Sequence, residues 1–235
     1  MNILILGING DIGSSIFNKI YNSNYKFYLV YSKKKPKYNH KNIVYFKIDF
    51  KNNILNSNVF KKIIKNKFDV VINNVGDSNP YISIFKLQKK DLHKSFNINF
   101  FSPFYIISEI IKKNVKLNKK LKIINISSNT IKFLGSKNNF SYYLSKLTLD
   151  NALLYFSKHF AEKKIRVNIL RPGLIKTKKT TKLKNYNSIN FKNREKLVPF
   201  GRSGLPKDIS SAIDFLLSDQ ADFIYGQVIS ISGGE

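Results

Sequence analysis

The chain has 235 residues, 41 basic against 14 acidic side chains, a formal charge of +27, and neither cysteine nor tryptophan. A hydrophobic content of 43% is ample for a buried core and excludes global disorder. The absence of cysteine excludes a disulfide framework, a thiolate metal site and a cysteine nucleophile, and no apolar run approaches the ~18 residues of a membrane span, so a soluble, cytoplasmic protein without a membrane partner is expected.

The first apolar run, residues 2–6, reads as a strand and feeds into Gly7-Ile8-Asn9-Gly10-Asp11-Ile12-Gly13, which opens a helix over 12–21. Glycines at such a junction permit a tight turn and let a pyrophosphate approach the backbone, while the helix N-terminus offers free N–H donors. The loop therefore predicts a dinucleotide cofactor. A second strand over 26–31 runs into Ser32-Lys33-Lys34-Lys35. An NAD site usually carries a carboxylate at this point for the ribose 2′-OH. Three cations in its place favour a 2′-phosphate on Lys33 and Lys34, and so NADP(H) over NAD(H).

Strands over 43–48, 70–73, 121–127, 166–170 and 227–231 follow, separated by helix-period segments at 58–65, 89–117, 141–163 and 206–217. Several strands are continuous apolar runs, as expected where both faces are covered. The alternation predicts an α/β fold: a doubly wound (Rossmann) three-layer sandwich with a mainly parallel seven-stranded sheet. No linker or repeat interrupts it, so residues 1–235 are expected to form a single domain, with a substrate lid at 176–198.

Tyr142 and Lys146 stand four apart in a helical segment and share a face. An ammonium beside a phenol stabilises the phenolate, which is expected to lower the tyrosine pKa from ~10 and suit it to proton transfer with a carbonyl. The strand before this helix ends in Ser127-Ser128, which puts hydroxyls at the carboxyl edge of the sheet, where α/β sites form. Of the basic residues only Arg166, Arg171, Arg194 and Arg202 are arginine. Lys, Asn and Ile dominate the chain, a trio that favours coding bias over a dedicated polyanion partner, and no specific nucleic-acid partner is expected. Residues 176–196 hold seven lysines and Arg194. Either an acidic substrate or the same bias in a tolerant loop accounts for them.

From end to end the chain resembles the short-chain dehydrogenase/reductase family in its single-domain form, and within it the 3-oxoacyl-(acyl-carrier-protein) reductase branch. Gly7 and Gly13 match the family's glycine-rich turn, with Asp11 where the middle glycine usually falls, although Gly10 is adjacent. Asp11 is expected either to cap the first helix or to weaken phosphate affinity. Asp49, followed by Phe50, matches the carboxylate at the adenine, and Asn73-Asn74-Val75-Gly76 the turn after the fourth strand. By the same resemblance Asn99, Ser128, Tyr142 and Lys146 take the catalytic roles, with Ser127 a lesser candidate for the serine. Pro172-Gly173-Leu174-Ile175 and Thr177 match the family's Pro-Gly turn beside the nicotinamide.

The resemblance implies hydride transfer with a carbonyl or alcohol. Ser128 would bond the reacting oxygen, Tyr142 would move its proton, Lys146 would assist and hold the nicotinamide ribose, and Asn99 would position a water. The expected substrate is a small-molecule or acyl-carrier-bound carbonyl, a 3-oxoacyl thioester or a sugar or nucleotide-sugar carbonyl. A homo-oligomer, tetramer or dimer, is expected through the helices at 89–117 and 141–163. The alternative is a catalytically silent NADP-binding sensor or scaffold.

Overall fold

The computed structural model describes residues 1–38, 40–182 and 188–235. Its strands are β1 (Asn2–Leu6), β2 (Lys26–Tyr31), β3 (Ile43–Lys47), β4 (Val70–Asn73), β5 (Leu121–Ile126), β6 (Ile165–Pro172) and β7 (Val228–Ile231). They lie in one sheet in the order β3-β2-β1-β4-β5-β6-β7, and every pairing between these strands is parallel rather than mainly so. The helices are α1 (Asp11–Ile20), α2 (Asn58–Lys65), α3 (Lys89–Phe96), α4 (Ser102–Lys116), α5 (Phe140–His159), α6 (Lys178–Lys182), α7 (Ser188–Glu195) and α8 (Pro206–Leu217).

The continuous apolar strands follow from burial on both faces. On β1, Leu4 and Leu6 join one core cluster while Ile3 and Ile5 join the other. The first cluster is closed by Phe60 and Ile63 of α2, Ile106 and Ile110 of α4, and Leu149 and Leu153 of α5. The second is closed by Ile16 and Phe17 of α1 and Ile209 and Ile213 of α8. These two layers of helix complete the doubly wound sandwich. No helix among the described residues is long and apolar enough to cross a membrane.

Two departures from the sequence reading bear on the site. The helix expected over 89–117 is divided into α3 and α4 by a π-turn, Asn97–Phe101, in which the Ser102 amide donates five residues back to the Asn97 carbonyl. Pro103 has no N–H to give the Asn99 carbonyl, so the ordinary ladder fails there. The expected lid at 176–198 lies partly outside the described residues. Its described parts are α6 and α7, and Phe191 of α7 packs on Leu174 and Val198.

The strand order reverses between β1 and β4, which leaves a crevice at their carboxyl ends. There the loop after β4 meets the loop after β1: the Asn74 side chain donates to the Gly7 carbonyl at 2.8 Å.

Candidate active site

The turn after β1 is built for close approach. Gly7 has φ +83°, and a Cβ there would lie 2.9 Å from the Asn74 carbonyl oxygen; at Gly13 it would lie 2.7 Å from the Gly7 oxygen. Neither position accepts a side chain, whereas Gly10 is open. Asp11 does not cap the first helix as one expectation had it. Gly10 is the cap of α1 and receives no side-chain bond, and the Asp11 carboxylate accepts the Lys178 amide of α6 at 2.5 Å. Ile12 packs on the core beneath the turn.

Asn9 joins this turn to the segment after β2. Its Oδ1 accepts the Ser32 amide at 3.0 Å and its Nδ2 donates to the Lys34 carbonyl at 2.6 Å. Lys33 and Lys34 are exposed beside it, while the Lys35 ammonium lies 4.4 Å from the centre of the Tyr45 ring. Asp49 is exposed and accepts the Lys51 amide at 3.1 Å. The side chain of Phe50 belongs to the core, which leaves its backbone as the part that could meet a ligand.

At the carboxyl end of β5, Ser128 accepts the Thr130 amide at 3.2 Å, and its hydroxyl neighbours the Tyr142 phenol. The serine beside it, Ser127, is buried. Tyr142 and Lys146 occupy one face of α5, and the Lys146 Nζ, almost wholly buried, donates to the carbonyls of Val75 at 2.8 Å and Ile126 at 3.0 Å. Gly76 leaves room for it, since a Cβ there would stand 3.1 Å from Nζ. Burial pushes the Lys146 ammonium down to about 8, against the pull of Asp150.

The expected lowering of the tyrosine is reversed. Burial pushes the Tyr142 phenol up to about 12; Asp150 and Asp77 add to this, and the nearby Ser128 hydroxyl only partly offsets it. The phenol is therefore a neutral O–H donor at physiological pH.

Asn99, in the π-turn, is fully engaged. Its Oδ1 accepts the Asp77 amide at 2.9 Å, and its Nδ2 donates to the Asp77 carbonyl at 3.0 Å, Ser95 at 3.2 Å and Ser145 at 3.1 Å. It thereby clamps the loop after β4 to α3 and α5. Pro172 ends β6 and Gly173 follows it, with the Gly173 amide on the Ile231 carbonyl at 3.0 Å, and Ile175 is buried. The Thr177 hydroxyl is 3.1 Å from that of Thr180. The ammonium of Lys179, also on α6, meets Asp77 at 3.0 Å. The two carboxylates Asp11 and Asp77 thus hold α6 across the crevice.

Asp77, Asp150, Arg171, Asn73 and Asn125 lie in or behind this site without having been singled out as site residues by the sequence. For Asp150 a signal existed, because it falls four residues after Lys146 on the same helical face. For Arg171 the signal was its type, a rare arginine in a lysine-rich chain.

A parallel, doubly wound sheet with a glycine-tight first turn and a phenol, hydroxyl and ammonium gathered at its carboxyl end belongs to the class of dinucleotide-dependent α/β oxidoreductases. Residues 12–235 match the family model described as enoyl-(acyl carrier protein) reductase. The chain is 36% identical over 171 residues to a 3-oxoacyl-(acyl-carrier-protein) reductase of Rickettsia felis, covering 72% of this chain and 67% of that one. It is 30% identical to the reductase of the same name from Buchnera aphidicola subsp. Baizongia pistaciae, over 98% of this chain and 95% of the other. The structure of a 4-hydroxyisoleucine dehydrogenase complexed with NADH superposes with a TM-score of 0.86 at 25% identity, covering 99% of this chain and 97% of that one. The chain belongs to the short-chain dehydrogenase/reductase family and is an oxidoreductase.

Proposed function

We propose that the chain is an NADP(H)-dependent reductase that converts a substrate carbonyl to an alcohol, with a 3-oxoacyl thioester on an acyl-carrier protein as the leading substrate class and a sugar or nucleotide-sugar carbonyl as the other. The observation that carries this reading is the Tyr142 phenol with the Ser128 hydroxyl as its neighbour and, on the same face of α5, the Lys146 ammonium seated on the Val75 and Ile126 carbonyls. Two hydroxyls converging on one point suit a carbonyl oxygen, which needs a hydrogen bond and then a proton as it becomes an alkoxide. A phenol held neutral suits the donor role, so reduction is the favoured direction. The acyl-carrier substrate is supported by the names of the two relatives.

The residues present fit a dinucleotide. Gly7 and Gly13 let the turn pack closely on itself and on the loop after β4, and Gly10 faces the open space where a pyrophosphate would approach, with Asn9, Asp11 and Ile12 framing the turn. Ser32, Lys33 and Lys34 would receive a 2′-phosphate, Asp49 and the Phe50 backbone the adenine, and Asn74, Gly76, Pro172, Gly173, Ile175 and Thr177 the nicotinamide half. When bound, the nicotinamide supplies the hydride. Tyr142 delivers the proton, Ser128 holds the reacting oxygen, and Lys146 binds the nicotinamide ribose beside the phenol. Asn99, whose carbonyl receives no N–H from Pro103, positions a water through which Lys146 exchanges protons with solvent. Residues 1–235 act as one domain, residues 176–198 as its lid, and the outer faces of α4 and α5 as the surface of a homo-oligomer.

Titration with NADPH and NADH, followed by assay on 3-oxoacyl, 2-enoyl and sugar carbonyl substrates, tests the reading. Tighter NADPH binding with turnover of a 3-oxoacyl thioester is expected. Turnover confined to the 2-enoyl thioester would overturn the carbonyl assignment, and binding without turnover anywhere would favour a silent sensor or scaffold.

A further inference from the structure

Behind Lys146 lies a second charged group that proton delivery by itself does not require. Asp150 follows Tyr142 and Lys146 at the same four-residue interval on α5, and its side chain is fully buried. Its Oδ2 accepts from Nε and a terminal nitrogen of Arg171 on β6, each at 3.0 Å. Its Oδ1 accepts from the Asn125 side chain of β5 at 3.0 Å. Asn125 in turn accepts from Asn73 of β4 at 2.7 Å, and Asn73 accepts the Val75 amide at 3.2 Å. The carbonyl of that same Val75 receives the Lys146 Nζ. The bonds therefore close a ring from α5 through β5, β4 and the loop after β4 back to α5, with Arg171 of β6 joined to it at Asp150.

A buried carboxylate is costly unless paired and fully bonded, and this one is both. We propose that Asp150, held by Arg171, is a positioning residue for Lys146: it fixes through Asn125 and Asn73 the Val75 carbonyl that cradles the ammonium, and it supplies the negative charge against which that ammonium is kept buried. The other charged or titratable groups around Lys146 do not replace it. Tyr142 is neutral, Lys179 on α6 opposes the ammonium, and Asp77 after β4 is partly exposed to solvent where Asp150 is fully buried. The inference rests on the reading that Tyr142 and Lys146 carry the proton-transfer chemistry.

The test follows the Lys146 charge directly. In protein labelled with ¹³C at the lysine ε-carbons, the Lys146 resonance is assigned by its loss in Lys146→Met and titrated with pH. Asp150→Asn is expected to lower its midpoint by about one pH unit, because an opposite charge nearby favours the charged form. The alkaline limb of kcat/KM for carbonyl reduction should move down with it. Should Asp150→Asn fail to fold, Asp150→Asn/Arg171→Met removes both charges together and is expected to move the midpoint in the same direction. An unmoved midpoint in either folded variant, or a midpoint that moves while the kinetic limb stays, overturns the proposal. Absence of turnover in the unsubstituted protein would overturn the reductase reading instead, and the resonance would still decide the role of Asp150.

Discussion

Lys146 offers a stability prediction whose sign can be worked out. Its ammonium falls from the ordinary 10.5 to about 8 in the folded protein. Between those values an unfolded chain still holds a proton that the folded one has shed, so folding is favoured more as pH rises. The fall corresponds to about 3 kcal/mol, absent below pH ~8 and fully expressed above ~10.5. Lys146→Met removes the titrating group. At neutral pH it relieves a buried charge but orphans the Val75 and Ile126 carbonyls, effects of about 1–3 kcal/mol each that largely oppose one another. The net change at pH 7 is thus small, while the pH dependence is not. Urea unfolding of both proteins between pH 7 and 10.5 should show the unsubstituted protein gaining on the variant by about 3 kcal/mol. Subtracting the two curves cancels the other lysines. Parallel curves would mean that Lys146 is not the desolvated cation described here.

Tyr142→Phe should lower turnover by about 10²–10⁴-fold, the usual worth of a positioned acid, with NADPH affinity nearly unchanged; substantial residual rate in a stopped-flow assay would refute the donor role. Gly13→Ala forces a Cβ to within 2.7 Å of the Gly7 oxygen, so the backbone of the turn must shift. A stability loss of about 1–3 kcal/mol and weaker NADPH binding are expected, read by thermal unfolding and fluorescence titration. Replacing Lys33 and Lys34 with Asp should shift the NADPH/NADH affinity ratio towards NADH, and an unchanged ratio would mean the 2′-phosphate is read elsewhere.

The sheet was legible because burial on both faces leaves a strand no polar face, so strands such as Leu4-Ile5-Leu6 and Val70-Val71-Ile72 stand out as continuous apolar runs. The helix over 89–117 was legible as helix but not as an interrupted one, since hydrophobic period does not register a π-turn. Pro103 was the available sign. Ser128, Tyr142 and Lys146 were picked out from spacing and family pattern, and the structure puts Tyr142 and Lys146 on one face of α5 with Ser128 at the end of β5. The direction of the tyrosine shift could not be read. Spacing reports that a lysine is near but not that its Nζ turns to two backbone carbonyls, nor that burial outweighs it. The partners of Asp11 and Asp150 were equally hidden, because Lys178 and Arg171 reach them from other elements.

The arginines sharpen what the +27 charge means. All four are paired with carboxylates: Arg166 with Asp222, Arg171 with Asp150, Arg194 with Glu235 and Arg202 with Asp208. Among the lysines whose side chains are described, only five make such a pair. A drift towards lysine is harmless on a solvated surface, where a point charge on a flexible stem needs no fixed partner. It is not harmless where a planar fork must hold a carboxylate from a fixed direction. Arginine thus survives at joints: Arg171 between β6 and α5, and Arg194 between α7 and the segment after β7. In a composition this biased, the rare basic residue marks structure and the common one marks surface. The lysines that carry meaning are then those removed from the surface, and Lys146 is the most deeply buried of the basic side chains described.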